Sequence, residues 1–217
     1  MKYLLLIVSI TFASLASAQG TERVFHGGLF AGAATTQIDG DGYAGFNKAG
    51  IWAGAFINSK LTDKWRGELQ LSFVQKGSIN PYRPDQGDFS YYRIALQYVE
   101  VPLLFRRKHG KFVYGFGPSF GVLISSLEED LNGEVTIPFH TFKGTEVALS
   151  LDLVYQLLPR LESNVRYTHS MLPVSNQFKL TPLGLVGGSF NMALNFGLRY
   201  RLSKACLLYT SPSPRDA

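Results

Sequence analysis

Apolar residues alternate with polar or small residues along most of the chain, and segment 191–202 shows this pattern most clearly. Its even-numbered positions are apolar or aromatic, and its odd-numbered positions are polar, charged or small. A period of two is typical of a β-strand with one face in an apolar environment. The same pattern predicts eight strands, near residues 25–36, 49–60, 65–76, 91–106, 111–125, 143–158, 160–170 and 188–203.

The lengths of these strands and of their connections predict a membrane barrel. Strands of soluble proteins usually have about five or six residues, whereas a tilted transmembrane strand needs about nine to eleven. Short turns at one end and long loops at the other are the layout of outer-membrane barrels. We therefore predict an all-β fold, an eight-stranded antiparallel up-and-down transmembrane β-barrel. The short connections are 61–64, 107–110 and 158–160, and the long ones are near 37–48, 77–90, 126–142 and 171–187.

The apolar face of each strand is predicted to contact lipid, and the polar face to line the lumen. In the fourth strand, Val99, Val101 and Leu103 point outward, whereas Tyr98 and Glu100 point inward. The first two strands are rich in glycine and alanine, so their faces stay open. The alternative is a soluble periplasmic sheet, whose apolar face would turn inward and whose polar face would meet water.

Charged side chains of both signs lie on the predicted inner face, among glycines and serines that leave room in a narrow barrel. Burial of charges is tolerable only when they are paired, and these opposite charges meet that demand. We predict a structural network in the lumen, formed by Arg66, Glu68, Glu100, Glu146, Asp152, Glu162, Arg166, Arg199 and Arg201.

The N-terminus predicts export from the cytoplasm. A basic residue at position 2, an apolar run over 4–12 and the small residues of 16–18 form a signal peptide, which we place at residues 1–18. An uncleaved anchor is the alternative. The barrel domain is then 19–205, and no run of eighteen apolar residues follows the predicted cut.

The C-terminal segment 206–217 breaks the alternating pattern. It resembles the translation of a sequencing adapter, so we predict a non-native tail; a genuine Pro/Ser tail is the alternative. Cys206 is the only cysteine. Without this tail the chain has no thiol for a disulfide, a metal site or a nucleophile.

Composition excludes one class of partner and leaves the membrane prediction intact. The formal net charge is +5, and the basic residues are scattered among the strands, so nucleic-acid binding is not predicted. The mean hydropathy of +0.04 suits a soluble protein, but also a membrane barrel with a polar lumen.

Several local features carry narrower expectations. Pro102 cannot donate a hydrogen bond to a β-ladder, so it is expected at a bulge or register change. Segment 39–41 is expected to form a turn rather than a calcium site, because a full acidic loop is absent. Segment 128–130 is expected at the solvated tip of a long loop.

Candidates for catalysis and metal binding are few. The histidines have no ligand spacing, and no metal, cofactor or catalytic residue is predicted. A lipid-modifying enzyme with His169 and Ser170 is an alternative, although the two residues have opposite parity and are not an obvious pair. The four histidines are His26, His109, His140 and His169.

A family resemblance that covers essentially all of 24–203 is carried by six short segments, 27–29, 37–43, 47–50, 69–77, 98–104 and 115–119. They resemble the strands of PorT-like outer-membrane β-barrel domains, and segment 98–104 resembles the most recognisable motif of that family. The resemblance implies an eight-stranded barrel in the outer membrane of a Gram-negative bacterium, and it does not imply a catalytic activity. Its namesake serves a protein-secretion system.

These observations predict a non-enzymatic integral protein of the outer membrane, with a plugged polar lumen and long external loops. Its role would be structural, in adhesion, or in secretion or assembly; a narrow small-solute channel is the first alternative. The expected partners are outer-membrane lipids, a secretion-system or surface partner, and the barrel assembly machinery. The last strand, ending at 197–202, resembles the recognition strand used by that machinery.

Overall fold

In the computed structural model, the chain forms a barrel of eight long strands. The structure describes residues 24–40, 45–87, 89–135, 141–175, 188–202 and 206–207. The predicted signal peptide, His140 and most of the C-terminal tail lie outside these residues. The strands are β1 (Val24–Asp39), β2 (Lys48–Lys60), β3 (Trp65–Asn80), β4 (Tyr92–His109), β5 (Phe112–Asp130), β6 (Thr145–Gln156), β7 (Leu161–Ser170) and β8 (Phe190–Arg201).

Each strand pairs in antiparallel fashion with the next strand along the chain, and β8 pairs with β1 to close the barrel. Closure gives every strand two neighbours, which satisfies backbone polar groups that an open sheet would expose to lipid. The predicted fold class is therefore confirmed. Among the described residues, no helix is long and apolar enough to span a membrane. The minor elements are a 3-10 helix (Pro84–Gln86) and two-residue strands at Gly133–Glu134 and Cys206–Leu207, which pair with β5 and β1.

The strands differ in length, and β3 to β5 are among the longest, with 16, 18 and 19 residues. About nine to eleven tilted residues cross the hydrocarbon layer, so these three strands extend beyond it at the long-loop end. Segment 128–130 forms the last three residues of β5 rather than a loop tip, which corrects the sequence-based expectation. Glu128 is buried there and accepts a hydrogen bond from the hydroxyl of Tyr92.

The alternation of faces matches the prediction. Large apolar side chains such as Leu71, Phe116 and Leu151 are exposed on the outer surface. In the first two strands, whose faces the sequence left open, even-numbered residues such as Phe30 and Trp52 point into the lumen. An apolar cluster thus lies on the inner side of β1, β2 and β4, whereas the inward residues of β3 are polar except for Val74. The cluster consists of Phe30, Ala34, Ile38, Trp52, Phe56, Val74, Ile94, Leu96 and Tyr98.

The register shift in β4 does not lie at Pro102, which corrects the expectation for that residue. The bulge lies where Gln97 and Tyr98 of β4 meet β5, with Ile124 as the extra residue. Pro102 pairs in an unshifted register with Ser119 and points into the lumen. Because proline has no amide hydrogen, the ladder with β3 is interrupted at Val101 and Pro102, but the register is the same on both sides of the gap.

Segments of the long loops fold over one end of the barrel. The amide of Lys143 donates to the carbonyl of Val174 at 2.8 Å, and the amide of Val174 donates to Ser189 at 2.7 Å. Val174 is fully buried, and Phe142 packs against the apolar cluster of the lumen. These contacts cover part of the upper end, which we define as the long-loop end.

Candidate functional site

The buried charges of the lumen form two clusters at different heights. The lower cluster, nearer the short turns, contains Glu68, Arg106, Asp152, Glu162, Arg166, Arg199 and Arg201. The upper cluster, nearer the long loops, contains Lys76, Glu100 and Glu146. Together they hold five cations and five carboxylates, so the two clusters carry no net charge.

Arg106 is the centre of the lower cluster. Its Nη2 lies 3.2 Å from Oε1 of Glu68, and the same nitrogen is hydrogen-bonded to Asp152. Asp152 also accepts hydrogen bonds from Nε of Arg166 at 2.8 Å and from Nδ2 of Asn164 at 3.0 Å. Arg106 therefore links β3 to β6 across the lumen.

Arg199, which lies on β8, connects this strand to the lower cluster. Its Nη2 donates to both carboxylate oxygens of Glu68, at 3.0 and 2.9 Å. Its Nε lies 3.5 Å from Glu162, and Nε of Arg201 lies 3.1 Å from the other oxygen of Glu162. The charged hydrogen bonds to Glu68 are stronger than neutral ones and join β8 to β3, and the ion pairs with Glu162 extend the cluster to β7.

Lys76 holds the upper cluster together. Its Nζ lies 2.6 Å from Glu100 and 2.8 Å from Glu146, and all three side chains are buried. Glu146 also accepts a hydrogen bond from the hydroxyl of Ser170 and one of 3.0 Å from Nδ2 of Asn191. Strands β3, β4, β6, β7 and β8 are therefore tied together at this level.

Two arginines connect the lower cluster to the apolar side of the lumen. The guanidinium of Arg166 lies 4.9 Å from the centre of the Trp52 ring, and that of Arg199 lies 4.0 Å from the Phe56 ring. A desolvated cation over an aromatic face is attracted by about 2 kcal/mol. The polar and apolar halves of the lumen therefore pack against each other.

Glycines on the inner face of β5 let charges on β4 and β6 meet. Gly115 pairs with Arg106 on one side and with Asp152 on the other. A Cβ at this position would lie 3.2 Å from the Arg106 side chain and 3.3 Å from that of Asp152. Gly121 occupies the same kind of position between Glu100 and Glu146. The absence of side chains here opens the path for both clusters.

The structure places eight of the nine predicted network residues in these clusters. Arg66 lies outside them, because it precedes Glu68 by two positions on β3 and its side chain is exposed at the rim of the barrel. Lys76 and Arg106 were missed. Their parity carried the signal, since Lys76 shares the inner face with Glu68, and Arg106 shares it with Glu100.

The remaining candidates for chemistry do not assemble into a site. Ser170 is fully buried and bonded to Glu146 in the lumen, whereas His169 lies on the outer face between the rings of Tyr167 and Phe190. A nucleophile and its base must lie within hydrogen-bond reach on the same face. No group of three or more histidine, cysteine or acidic residues in the described part of the chain is arranged to hold a metal ion.

Comparison with solved structures finds small outer-membrane barrels of low sequence identity. Ail, the attachment invasion locus protein of Yersinia pestis, has 14% identity and a TM-score of 0.47, and the match covers 82% of this chain and 98% of Ail. Neisserial surface protein A has 12% identity, a TM-score of 0.44, and coverage of 84% and 98%. OprG from Pseudomonas aeruginosa has 12% identity, a TM-score of 0.42, and coverage of 84% and 96%.

Comparison with families and with curated proteins gives one match. No curated protein matches the chain. The family described as outer membrane protein beta-barrel domain matches residues 17–203. The chain therefore belongs to this family, as an integral barrel protein of the outer membrane.

Proposed function

We propose that this protein is a non-enzymatic outer-membrane barrel with a plugged lumen, which serves the cell through its long external loops. The observation that supports this proposal is the pairing of four buried cations and the half-buried Arg201 with five buried carboxylates across the lumen. A barrel of this kind acts as a stable support in the membrane. Its role is structural, in adhesion, or in the assembly or secretion of other proteins.

The energetics of the lumen favour a plug over a pore. Side chains nearly fill the interior of an eight-stranded barrel, and here the largest buried ones include Trp52, Arg166, Arg199 and Tyr98. Separation of one partner from a buried ion pair costs about 3–5 kcal/mol. A continuous water path would require several such separations, which thermal motion does not supply at a useful rate.

Conductance in planar bilayers tests the plug. The refolded wild-type protein should give no steady channels, whereas the double variant Arg106→Ala with Asp152→Ala should conduct, because it removes the side chains that bridge the lumen. Lys64→Ala, which removes an exposed cation of the short-turn end, serves as the control and should not conduct. Steady conductance of the wild-type protein would replace this proposal with the small-solute channel.

The lipid-modifying enzyme has its own test. Because Ser170 and His169 lie on opposite faces of β7, the protein should not turn over labelled outer-membrane lipids. Turnover that disappears in His169→Ala would contradict the non-enzymatic proposal. A refolded sample of the variant, checked for the folded band on a gel, excludes loss of structure as the cause.

A narrower placement among PorT-like barrels, with a secretion-system partner, belongs to the same proposal. Its support is segment 98–104, in which Tyr98 and Glu100 point inward and Val99 and Val101 point outward. Further proposed partners are the outer-membrane lipids, the barrel assembly machinery and a surface partner, without nucleic acid. Crosslinking in intact cells from residues of the loop between β3 and β4 should capture a surface or secretion partner. Capture of the assembly machinery alone would argue against such a partner.

A further inference from the structure

A cavity of about 90 Å³ opens at the short-turn end of the barrel, directly below the lower cluster. Each of the eight strands contributes at least one residue to its lining. A single water molecule needs about 10–15 Å³ of cavity volume, so this cavity has room for a solute of several heavy atoms. In outer-membrane barrels the short turns face the periplasm, which makes this the periplasmic mouth.

The lining of this cavity carries an excess of positive charge. Its cations are Arg66, Arg106, Lys108, Arg199 and Arg201, and its carboxylates are Glu68 and Glu162. The next layer above adds one cation, Arg166, and one carboxylate, Asp152, so the excess of three is unchanged. Although the two clusters are neutral as a whole, their positive side faces the periplasm.

Two buried guanidinium groups at the cavity have N–H donors that make no hydrogen bond within the described part of the chain. Arg106 and Arg199 are 4% and 1% exposed. Nε of Arg106 and Nη1 of Arg199 have no hydrogen-bond acceptor among the residues that the structure describes. A buried charged donor without an acceptor is unfavourable. Both nitrogens are shielded from solvent, so an anion in the cavity is attracted first by the charge of these two groups and reaches the unpaired donors only if the side chains turn.

We propose that the periplasmic mouth binds a small oxyanion of the phosphate class. The planar fork of arginine matches the oxygens of phosphate, and two such forks lie at the buried end of the cavity. Lys108 contacts Gln156 at 3.3 Å through an exposed side chain, and Arg66 is also exposed, so both can turn toward a ligand. Free phosphate and the headgroup of an anionic phospholipid share this chemistry.

Calorimetric titration of the full chain, refolded in an uncharged, phosphate-free detergent, tests the proposal. One arm titrates inorganic phosphate at constant ionic strength, and the other titrates short-chain phosphatidylglycerol below its micelle concentration. Lys108→Gln and Arg66→Gln each remove one exposed lining cation that lies outside the clusters. Each should weaken binding about three- to tenfold, because one of the attractive charges is lost.

Lys64→Gln is the matched control, since it removes one exposed cation at the same end but outside the cavity. It should leave the dissociation constant unchanged. Saturable binding of phosphate alone would identify a free oxyanion, and binding of the phospholipid alone with the same dependence on Lys108 and Arg66 would identify a headgroup. The proposal is overturned if neither probe binds, or if Lys64→Gln weakens binding as much as the two cavity variants.

Discussion

Gly115 determines whether the central ion pair of the lumen can form. Because a Cβ here would crowd both Arg106 and Asp152, Gly115→Val should push the two partners apart. Overpacking of a filled interior costs about 1–3 kcal/mol, and we expect a loss of this size in the free energy of unfolding. Urea titration of the protein in lipid vesicles, followed by fluorescence of its two tryptophans, measures it.

Gly144 offers the control for this substitution. It lies at the long-loop end, and a Cβ there would meet no atom within 4 Å. Gly144→Val should therefore leave the urea midpoint close to that of the wild-type protein. Equal midpoints for the two variants would show that the lumen has room for a side chain at residue 115. The ion pair of Arg106 would then not depend on a glycine at that position.

Asp152 is the residue of the lower cluster whose loss should cost most. It accepts from Arg106, Arg166 and Asn164, so Asp152→Asn removes the carboxylate partner of Arg166 and leaves Arg106 with Glu68 alone. Removal of one partner from a buried pair costs about 3–5 kcal/mol, and we expect a destabilisation of this size in the same urea titration. Asp63→Asn, which breaks an exposed pair with Lys60 in a short turn, should have no measurable effect.

The sequence predicts the members of the network better than their pairing. Parity placed Glu68, Glu100 and Glu146 on the inner face, because a strand repeats every two residues. It could not show that Arg106 reaches across β5, since that contact depends on strand order and on a glycine opposite. The exposure of Arg66 follows from its height near the rim, which alternation alone does not encode.

At the scale of the strand, the outer faces of β6 and β8 should not tolerate charged side chains, because these faces contact lipid. Leu151 lies on the outer surface near the middle of β6, and Leu194 occupies an outward position on β8. Leu151→Arg and Leu194→Arg should each cost about 2–4 kcal/mol in a bilayer, measured by reversible unfolding in vesicles. Leu158→Arg in the turn before β7 is exposed to water and should cost little.

Normal insertion and stability of both strand variants would contradict this assignment of faces. The periodicity of these strands alone could not decide it, because a soluble sandwich shows the same alternation. The charged inner face decides it together with barrel closure. An apolar face turned outward all around a closed sheet has only lipid to contact.

The bulge in β4 and β5 shows where local sequence reasoning fails. Pro102 indicated a bulge or register change, yet it only interrupts the ladder with β3, and the register changes between Gln97 and Tyr98. Beyond that point the extra residue, Ile124, changes the parity of β5 and turns Glu128 inward toward Tyr92. A bulge depends on the pairing register of two strands, so the sequence of one strand alone cannot predict its position.

For the molecule as a whole, the chain predicted the number and order of strands, but not the mixed character of the lumen. The sequence pattern of β3 and β6 to β8 implied a polar interior, and the structure adds an apolar cluster around Trp52 and Phe56. These residues come from β1 and β2, where small residues on the outer face hide the alternation. Contacts between Lys143, Val174 and Ser189 at the upper end join loops that are far apart in sequence, so the sequence pattern could not predict them either.

Resistance of the folded barrel to detergent is the prediction that belongs to the whole molecule. Closure by pairing of β1 with β8, together with two ion clusters that tie five or more strands, leaves no edge at which unfolding can begin. The 19–205 protein, refolded in detergent and then in vesicles, should therefore run as a compact band on a gel without heating and shift on boiling. Circular dichroism of the unheated sample should be rich in β-structure. A protein that instead folds as a soluble monomer without detergent would reverse the assignment of inner and outer faces, since its apolar surface would then have to be buried against itself.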